Sequence, residues 1–250
     1  IVGGEGFGRA IWNTSYYALL SVPLSIALGV GLAVMLSWNV RGQAVYRTLF
    51  FLPSVVPVVA SSALWIWLLD PRDGIVNRFL ESVSLPRQLW FKGASEAMAP
   101  PGWLDFGSKD ALVLMSLWGV GNFMVIYLAA IGDIPTQLYE AAELDGAGRL
   151  RRFWHVTIPM LSPVIFFNVV MGMIQSVQAF TQVYMVSEGT GEPASWSLML
   201  SLHLFLSAFQ DLDMGYASAM SWLLFVALLI ATALLFRTSR HWVFYQGAGR

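Results

Sequence analysis

Uncharged runs separated by short charged stretches set the pattern of the chain. Positions 10–40, 48–69, 111–132, 156–187 and 214–236 contain no Asp, Glu, Lys or Arg. Each run reaches the ~20 residues that an α-helix, rising about 1.5 Å per residue, needs to cross the hydrocarbon of a bilayer. Not every residue in them is apolar, so the first and fourth runs contain spans rather than being spans throughout. The pattern predicts five transmembrane helices, at 14–37, 48–69, 111–131, 157–183 and 214–236. The fold class is therefore an all-α membrane protein, a polytopic helical bundle.

The connecting segments differ in kind. Residues 70–110 carry Pro71, Gly74, Pro86, Pro100, Pro101 and Gly102, which predicts a folded or draped loop with short helices at most. Residues 196–209, WSLMLSLHLFLSAF, are apolar but too short to span, so they read as an interfacial or re-entrant helix. Trp12, Trp38, Trp65, Trp67, Trp154, Trp196 and Trp242 lie at or near the predicted ends, where amphipathic rings anchor a chain at the membrane surface.

Composition agrees with this picture. The chain has 250 residues, of which 57% are hydrophobic and 12% charged, too few charges to cover a soluble domain of this length. A net charge of −1 gives no basic face for nucleic acid. The absence of cysteine excludes disulfides and thiolate metal sites. Segments 38–47, 132–156 and 237–250 hold eight Arg in 49 residues, whereas 1–9, 70–110 and 184–213 hold six Lys or Arg in 80. The positive-inside rule then places 132–156 and the C-terminus in the cytoplasm, with 70–110 and 184–213 external. The N-terminus falls outside, and the odd number of spans suggests a further helix before Ile1.

The most polar stretch is Tyr139 to Pro159, YEAAELDGAGRLRRFWHVTIP. Pro135 suits a first helical turn, Thr136 to Leu144 are mostly good helix formers, and Gly146 and Gly148 weaken or end the helix. Ala141 and Ala142 are small enough for another protein to approach the backbone. Glu140 complements the helix dipole. Amphipathicity alone allows a plain solvated hairpin. The spacing is more specific: Glu140-Ala141-Ala142, three residues, Gly146, nine residues, then Val156-Thr157-Ile158-Pro159 resembles the EAA motif of binding-protein-dependent ABC importer permeases, with Val156 and Ile158 as aliphatic replacements for the motif's Ile and Leu. "EAAELDGAG" followed by "TIPMLSP" is similar to the sugar branch of these type I importers, the maltose permeases among them. Residues 13–36, 46–77 and 202–222 resemble other segments of that family, so the likeness covers most of 10–236.

The resemblance implies a type I permease domain over 10–240, with a coupling loop at 133–156. It also implies a second permease subunit, two cytoplasmic ATP-binding subunits and an extracytoplasmic solute-binding protein, assembled in the lipid of a bacterial or archaeal inner membrane. Glu140, Ala141, Ala142, Asp145, Gly146 and Pro159 would couple the chain to the ATPase. ATP and magnesium would be bound by that partner, and no cofactor is expected in this chain, which lacks a phosphate-binding G-x-x-x-x-G-K-[ST] loop.

Polar side chains inside the spans give a second set of candidates. Asn168, Gln175 and Gln182 recur every seven residues, and Met171 and Gln178 follow the same period offset by three. They predict one stripe on the fourth helix, with Thr181 and Tyr184 near its outer end. Such amides face protein or water rather than lipid, lining either a solute pathway or a subunit interface. Asn122 is a further candidate, and Gly119 and Gly121 beside it suggest close helix packing.

No charge sits deep in a span, which favours a sugar or another small polar solute such as a polyol or a glycerol phosphate. A secondary transporter would need coupling carboxylates or broken helices at mid-membrane, and the sequence shows neither. Ile1-Val2-Gly3-Gly4 matches the mature N-terminus of chymotrypsin-like proteases, but no Gly-Asp-Ser-Gly-Gly follows. His155, His203 and His241 share no motif with a carboxylate, so no catalytic set is expected.

Overall fold

The computed structural model describes residues 4–38, 41–88, 90, 107–191 and 197–244. Trp196, Pro100, Pro101, Gly102 and Arg250 lie outside the described residues. Among the described residues, three helices are long and apolar enough to cross a membrane, and two bent helix pairs reach that length and apolarity only when each pair is taken together.

The first helix, α1 (Gly4–Ser37), carries Pro23 internally and is the central post of the bundle. At about 50 Å it begins a few turns before the expected position 14. The predicted straight helix at 48–69 is instead two helices, α2 (Gln43–Val55) and α3 (Val58–Leu68), meeting at 97°. The cause is local. Pro57 excludes the helical region for the residue before it, and Val56 is extended, with φ −69° and ψ 130°. After α4 (Ile75–Ser82), the predicted helix at 111–131 also divides, into α5 (Ser108–Trp118) and α6 (Gly121–Gly132), bent by 47°. A Cβ on Gly121 would lie 1.9 Å from the Phe50 carbonyl oxygen, so only glycine lets α2 cross α6 backbone to backbone. Gly119, by contrast, meets only its own helix. Broken helices, which the sequence reading did not find, are thus present.

The charged stretch forms α7 (Thr136–Leu144) and α8 (Arg149–Arg152). It runs through a π-helical turn, Phe153–Thr157, into α9 (Ile158–Val177). Pro159 accounts for that turn. It has no N–H to offer the His155 carbonyl and its ring crowds the turn before it, and the Ile158 N–H reaches back five residues to Phe153. Helix α9 stops at Gln178, and α10 (Thr181–Val186) resumes after a short break. The short apolar segment forms α11 (Leu200–Phe209), buried against α1 and α12 (Met214–Ser239).

Along α1 the packing divides in two. One apolar cluster joins Ala10 and Tyr17 to Leu112, Met115, Val183 and Leu202; the other joins Val30, Ala33 and Leu36 to Met124, Tyr127 and Leu161. Between them, around positions 21–26, α1 faces open space. Trp12, Trp38, Trp67 and Trp154 are exposed, as expected of belt residues. Trp65 departs from that reading: it turns inward and meets the Trp118 ring edge-on at 6.0 Å, where both rings bury more apolar area than at the surface.

Candidate solute cavity and coupling helix

The open space along α1 is a cavity of about 740 Å³. Its walls come from four places. On α1, Tyr17, Ser21 and Ser25 are spaced by four residues and so share one face. The α2–α3 break brings Ser54, Val56 and Ser61; the α5–α6 bend brings Ser116, Trp118, Gly119 and Asn122. The end of α9 brings Asn168, Met171, Gln175 and Ser176, and the following break brings Phe180, Thr181 and Gln182. All three helix interruptions therefore line the same volume. Irregular backbone at membrane depth is tolerated where it borders a cavity, because water or a ligand there can satisfy the freed backbone groups.

Among the described residues, no charged side chain lines it. The wall is a set of hydroxyls and amides between aromatic and aliphatic groups, the composition that binds neutral polar molecules. Asn168 is 2% exposed, and its amide is turned toward the Tyr127 hydroxyl of α6.

Of the predicted stripe, Asn168, Gln175 and Gln182 reach the cavity, as does Asn122. Gln178 and Tyr184 do not line it. The helical period ends at Gln178, which caps α9 with φ −91° and ψ 8° and is exposed. Tyr184 packs instead against Phe180 and Phe205, with ring centroids 5.5 and 5.8 Å away. The seven-residue spacing implied a continuous helix, and the break removes that premise. The α1 serines and those flanking Val56-Pro57 were not read from the sequence. The four-residue spacing of Tyr17, Ser21 and Ser25 was the available signal.

The wall beside the α9–α10 break is held by α11. The Leu200 N–H, at the helix start, donates to Thr14 Oγ1 at 2.9 Å, and Asn13 Nδ2 donates to the Leu198 carbonyl at 2.9 Å. Ser201 Oγ donates to the Ala179 carbonyl, a group freed by the α9–α10 break. A short helix thus joins α1 to the cavity rim.

At the opposite end, α7 buries none of its residues. Glu140, Ala141, Asp145 and Gly146 are exposed, while Ala142 and Pro159 are half-buried. Gly146 has φ +76°, and the Gly146 and Ala147 N–H groups return to the Glu143 and Ala142 carbonyls at 3.0 and 2.9 Å. This is a Schellman stop, and its left-handed residue favours glycine. Arg152–Glu143 at 3.0 Å joins the two arms of the hairpin, and Tyr139 Oη with Thr157 Oγ1 at 3.1 Å ties it to the turn that leads into α9. Leu144 and Leu150, 90% and 73% exposed, flank the turn. Sequence reasoning passed over these leucines, although apolar residues in so polar a hairpin were visible. Pro159 lies in the first turn of α9; its carbonyl accepts from Ser162 Oγ at 2.6 Å, and that oxygen accepts the Phe244 N–H at 2.8 Å.

A polytopic helical domain with an uncharged polar cavity among broken helices and an exposed polar hairpin at one end has the form of a membrane transport subunit. Residues 25–242 match the family described as binding-protein-dependent transport system inner membrane component, and the chain belongs to that family. It is a permease subunit of an ABC importer. It is 39% identical over 246 residues to the probable ABC transporter permease protein YesP of Bacillus subtilis, covering 98% of this chain and 76% of that one. To the lactose transport system permease protein LacF of Rhizobium radiobacter it is 34% identical over 239 residues, covering 94% and 76%. A bacterial ABC transporter that imports the acidic polysaccharide alginate shares the fold, with a TM-score of 0.81 at 23% identity over 95% of this chain and 80% of that one.

Proposed function

We propose that this chain forms half of the pathway for a sugar or a similar neutral, hydroxyl-rich solute, and that it takes its driving force from a cytoplasmic ATPase docked on α7. The observation that carries the reading is the uncharged hydroxyl-and-amide wall of the cavity, with Asn122, Gln175 and Gln182 in it. Sugars present many donors and acceptors without net charge, and such a wall pairs with them at no ionic desolvation cost. The relatives include a lactose permease and a diacetylchitobiose permease, NgcF of Streptomyces coelicolor, 32% identical over 244 residues. Another, the sn-glycerol-3-phosphate permease UgpA of Yersinia enterocolitica, is 29% identical over 245 residues. An anionic solute of that kind would need its countercharge from the partner permease.

In this reading the hairpin 133–156 faces the cytoplasm of an inner membrane, and the chain hydrolyses no ATP itself. Glu140, Ala141, Ala142, Asp145 and Gly146 form the face that an ATP-binding subunit grips, with Leu144 and Leu150 as apolar anchors beside it. Motion of α7 reaches the cavity along the chain, through the π turn, Pro159 and α9. The second permease supplies the facing wall, and an extracytoplasmic binding protein delivers solute. The alginate transporter has been described in complex with a periplasmic protein carrying alginate pentasaccharide, which supports that part.

The test uses Glu140→Lys and Gly146→Asp. A Cβ at Gly146 meets nothing within 4 Å, so the hairpin still folds at a backbone cost of about 1–2 kcal/mol. Both variants should insert normally, lose co-purification with the ATPase subunits and stop transport. Full transport with normal co-purification would overturn the coupling role.

A further inference from the structure

We propose that α4 is an interfacial membrane helix, lying in the headgroup boundary of the bilayer with Ile75, Phe79 and Val83 in the acyl region. The inference rests on depth, on the division of the helix surface and on the way the helix is held.

Depth comes from its neighbours. Val76 and Leu80 pack on Leu69 and Ala111, both fully buried. Leu69 is the last residue of the uncharged run 48–69, and Ala111 is the first of 111–132. The helix therefore sits where two spans leave the hydrocarbon. Trp67 is 64% exposed just before that boundary, in the position typical of a ring at a membrane surface.

The surface of α4 divides into three sectors. Val76, Asn77 and Leu80 face the protein. Arg78 and Glu81 form an exposed charged strip. Ile75, Phe79 and Val83, at successive intervals of four, form an exposed apolar strip, with Leu85 following. In water such a strip would leave three large apolar side chains exposed side by side for no gain. Next to a bilayer it is the surface of a helix lying in the interface plane.

The helix is also fixed in rotation. Asn77 is buried and bonds in four directions: its Nδ2 donates to the Pro71 and Gln88 carbonyls at 3.2 and 2.9 Å, and its Oδ1 accepts from Gln88 N–H and Trp90 Nε1, both at 3.1 Å. The lock keeps the apolar strip turned outward. Arg87 and Glu81 pair at the far end, which holds Glu81's carboxyl below the usual carboxylate range.

The chain has no cysteine, so single-cysteine spin labels read each sector directly. Phe79→Cys, Val83→Cys, Arg78→Cys and Glu81→Cys are labelled in the transporter assembled with cysteine-free partners, in liposomes of phosphatidylethanolamine and phosphatidylglycerol. Positions 79 and 83 should show an oxygen-to-aqueous-nickel collision ratio about threefold or more above that at 78 and 81. Equal ratios at all four would overturn the proposal. So would labels at 79 and 83 that stay water-accessible until the binding protein is added and then become immobile, which would make the strip a protein-docking face. If Phe79→Cys does not assemble, Ile75→Cys carries the same contrast.

Discussion

Helices α9 and α12 are both apolar and both long enough to span, yet they do different work. A third of the apolar window that contains α9 is buried within the chain, against 6% for α12. Four hydroxyls of α12 are satisfied on their own helix: Ser218, Ser221, Thr238 and Ser239 donate to carbonyls three or four residues back. Ser162 and Ser176 of α9 do the same, but Asn168 and Gln175 carry two donors and an acceptor each, more than a local carbonyl can meet. A serine therefore reveals little about which face of a span is interior, whereas an amide reveals a great deal. The amides of α9 point to the cavity, and α12, which has none, is left for lipid or a partner subunit.

Packing gives the largest way to break this contrast. A Cβ on Gly172 of α9 would already lie 3.3 Å from Val22 Cγ1 of α1, so Gly172→Leu overpacks the seam and should cost about 1–3 kcal/mol. Ala227→Leu on the exposed face of α12 should stay within roughly 0.5 kcal/mol. Thermal unfolding of the assembled transporter in detergent measures both, and equal shifts would erase the distinction.

A smaller effect is expected at the cavity wall. Gln175→Leu removes an amide without crowding its neighbours, and should weaken solute KM by about fivefold, the worth of roughly one hydrogen bond, with assembly intact. Ser221→Ala on α12 should leave KM unchanged. Transport by proteoliposomes supplied with binding protein and ATP distinguishes them; unchanged kinetics in Gln175→Leu would favour an interface role for the amides.

The subtlest test is Ser201→Ala, which frees the Ala179 carbonyl at the end of the α9 interruption. The expected loss is about 1 kcal/mol of local stability, read as faster hydrogen exchange over 178–186 with α12 unaffected. Uniform exchange across both helices would mean that α11 does not hold the break.

Some of this was legible in the residues. Charge-free runs located the bilayer-crossing segments, because a polar backbone in hydrocarbon leaves few alternatives to helix. Pro135 and Gly146 marked the limits of α7, since both act within one turn of themselves. The spacing from Glu140 to Pro159 marked the hairpin as a family motif. Less legible was continuity. Pro57 signalled a break in 48–69, but a proline inside a span often only kinks it, and the 97° angle depends on where α3 finds packing against α10. Continuity across Gln178 was assumed, which misplaced Gln178 and Tyr184, and Trp65 was assigned to the surface because its neighbour in space, Trp118, is 53 positions away.

The sequence by itself determined the apolar segments, the membrane, the polar hairpin and the scarcity of charge within the spans, because each follows from local composition or from spacing within a few turns. Only the tertiary structure decided that three separate interruptions meet around one cavity, that serines of α1 complete its wall, and that α4 turns an apolar strip outward. Those depend on which distant surfaces pack together, and hydropathy assigns every apolar face the same preference for leaving water whether its neighbour is lipid or protein.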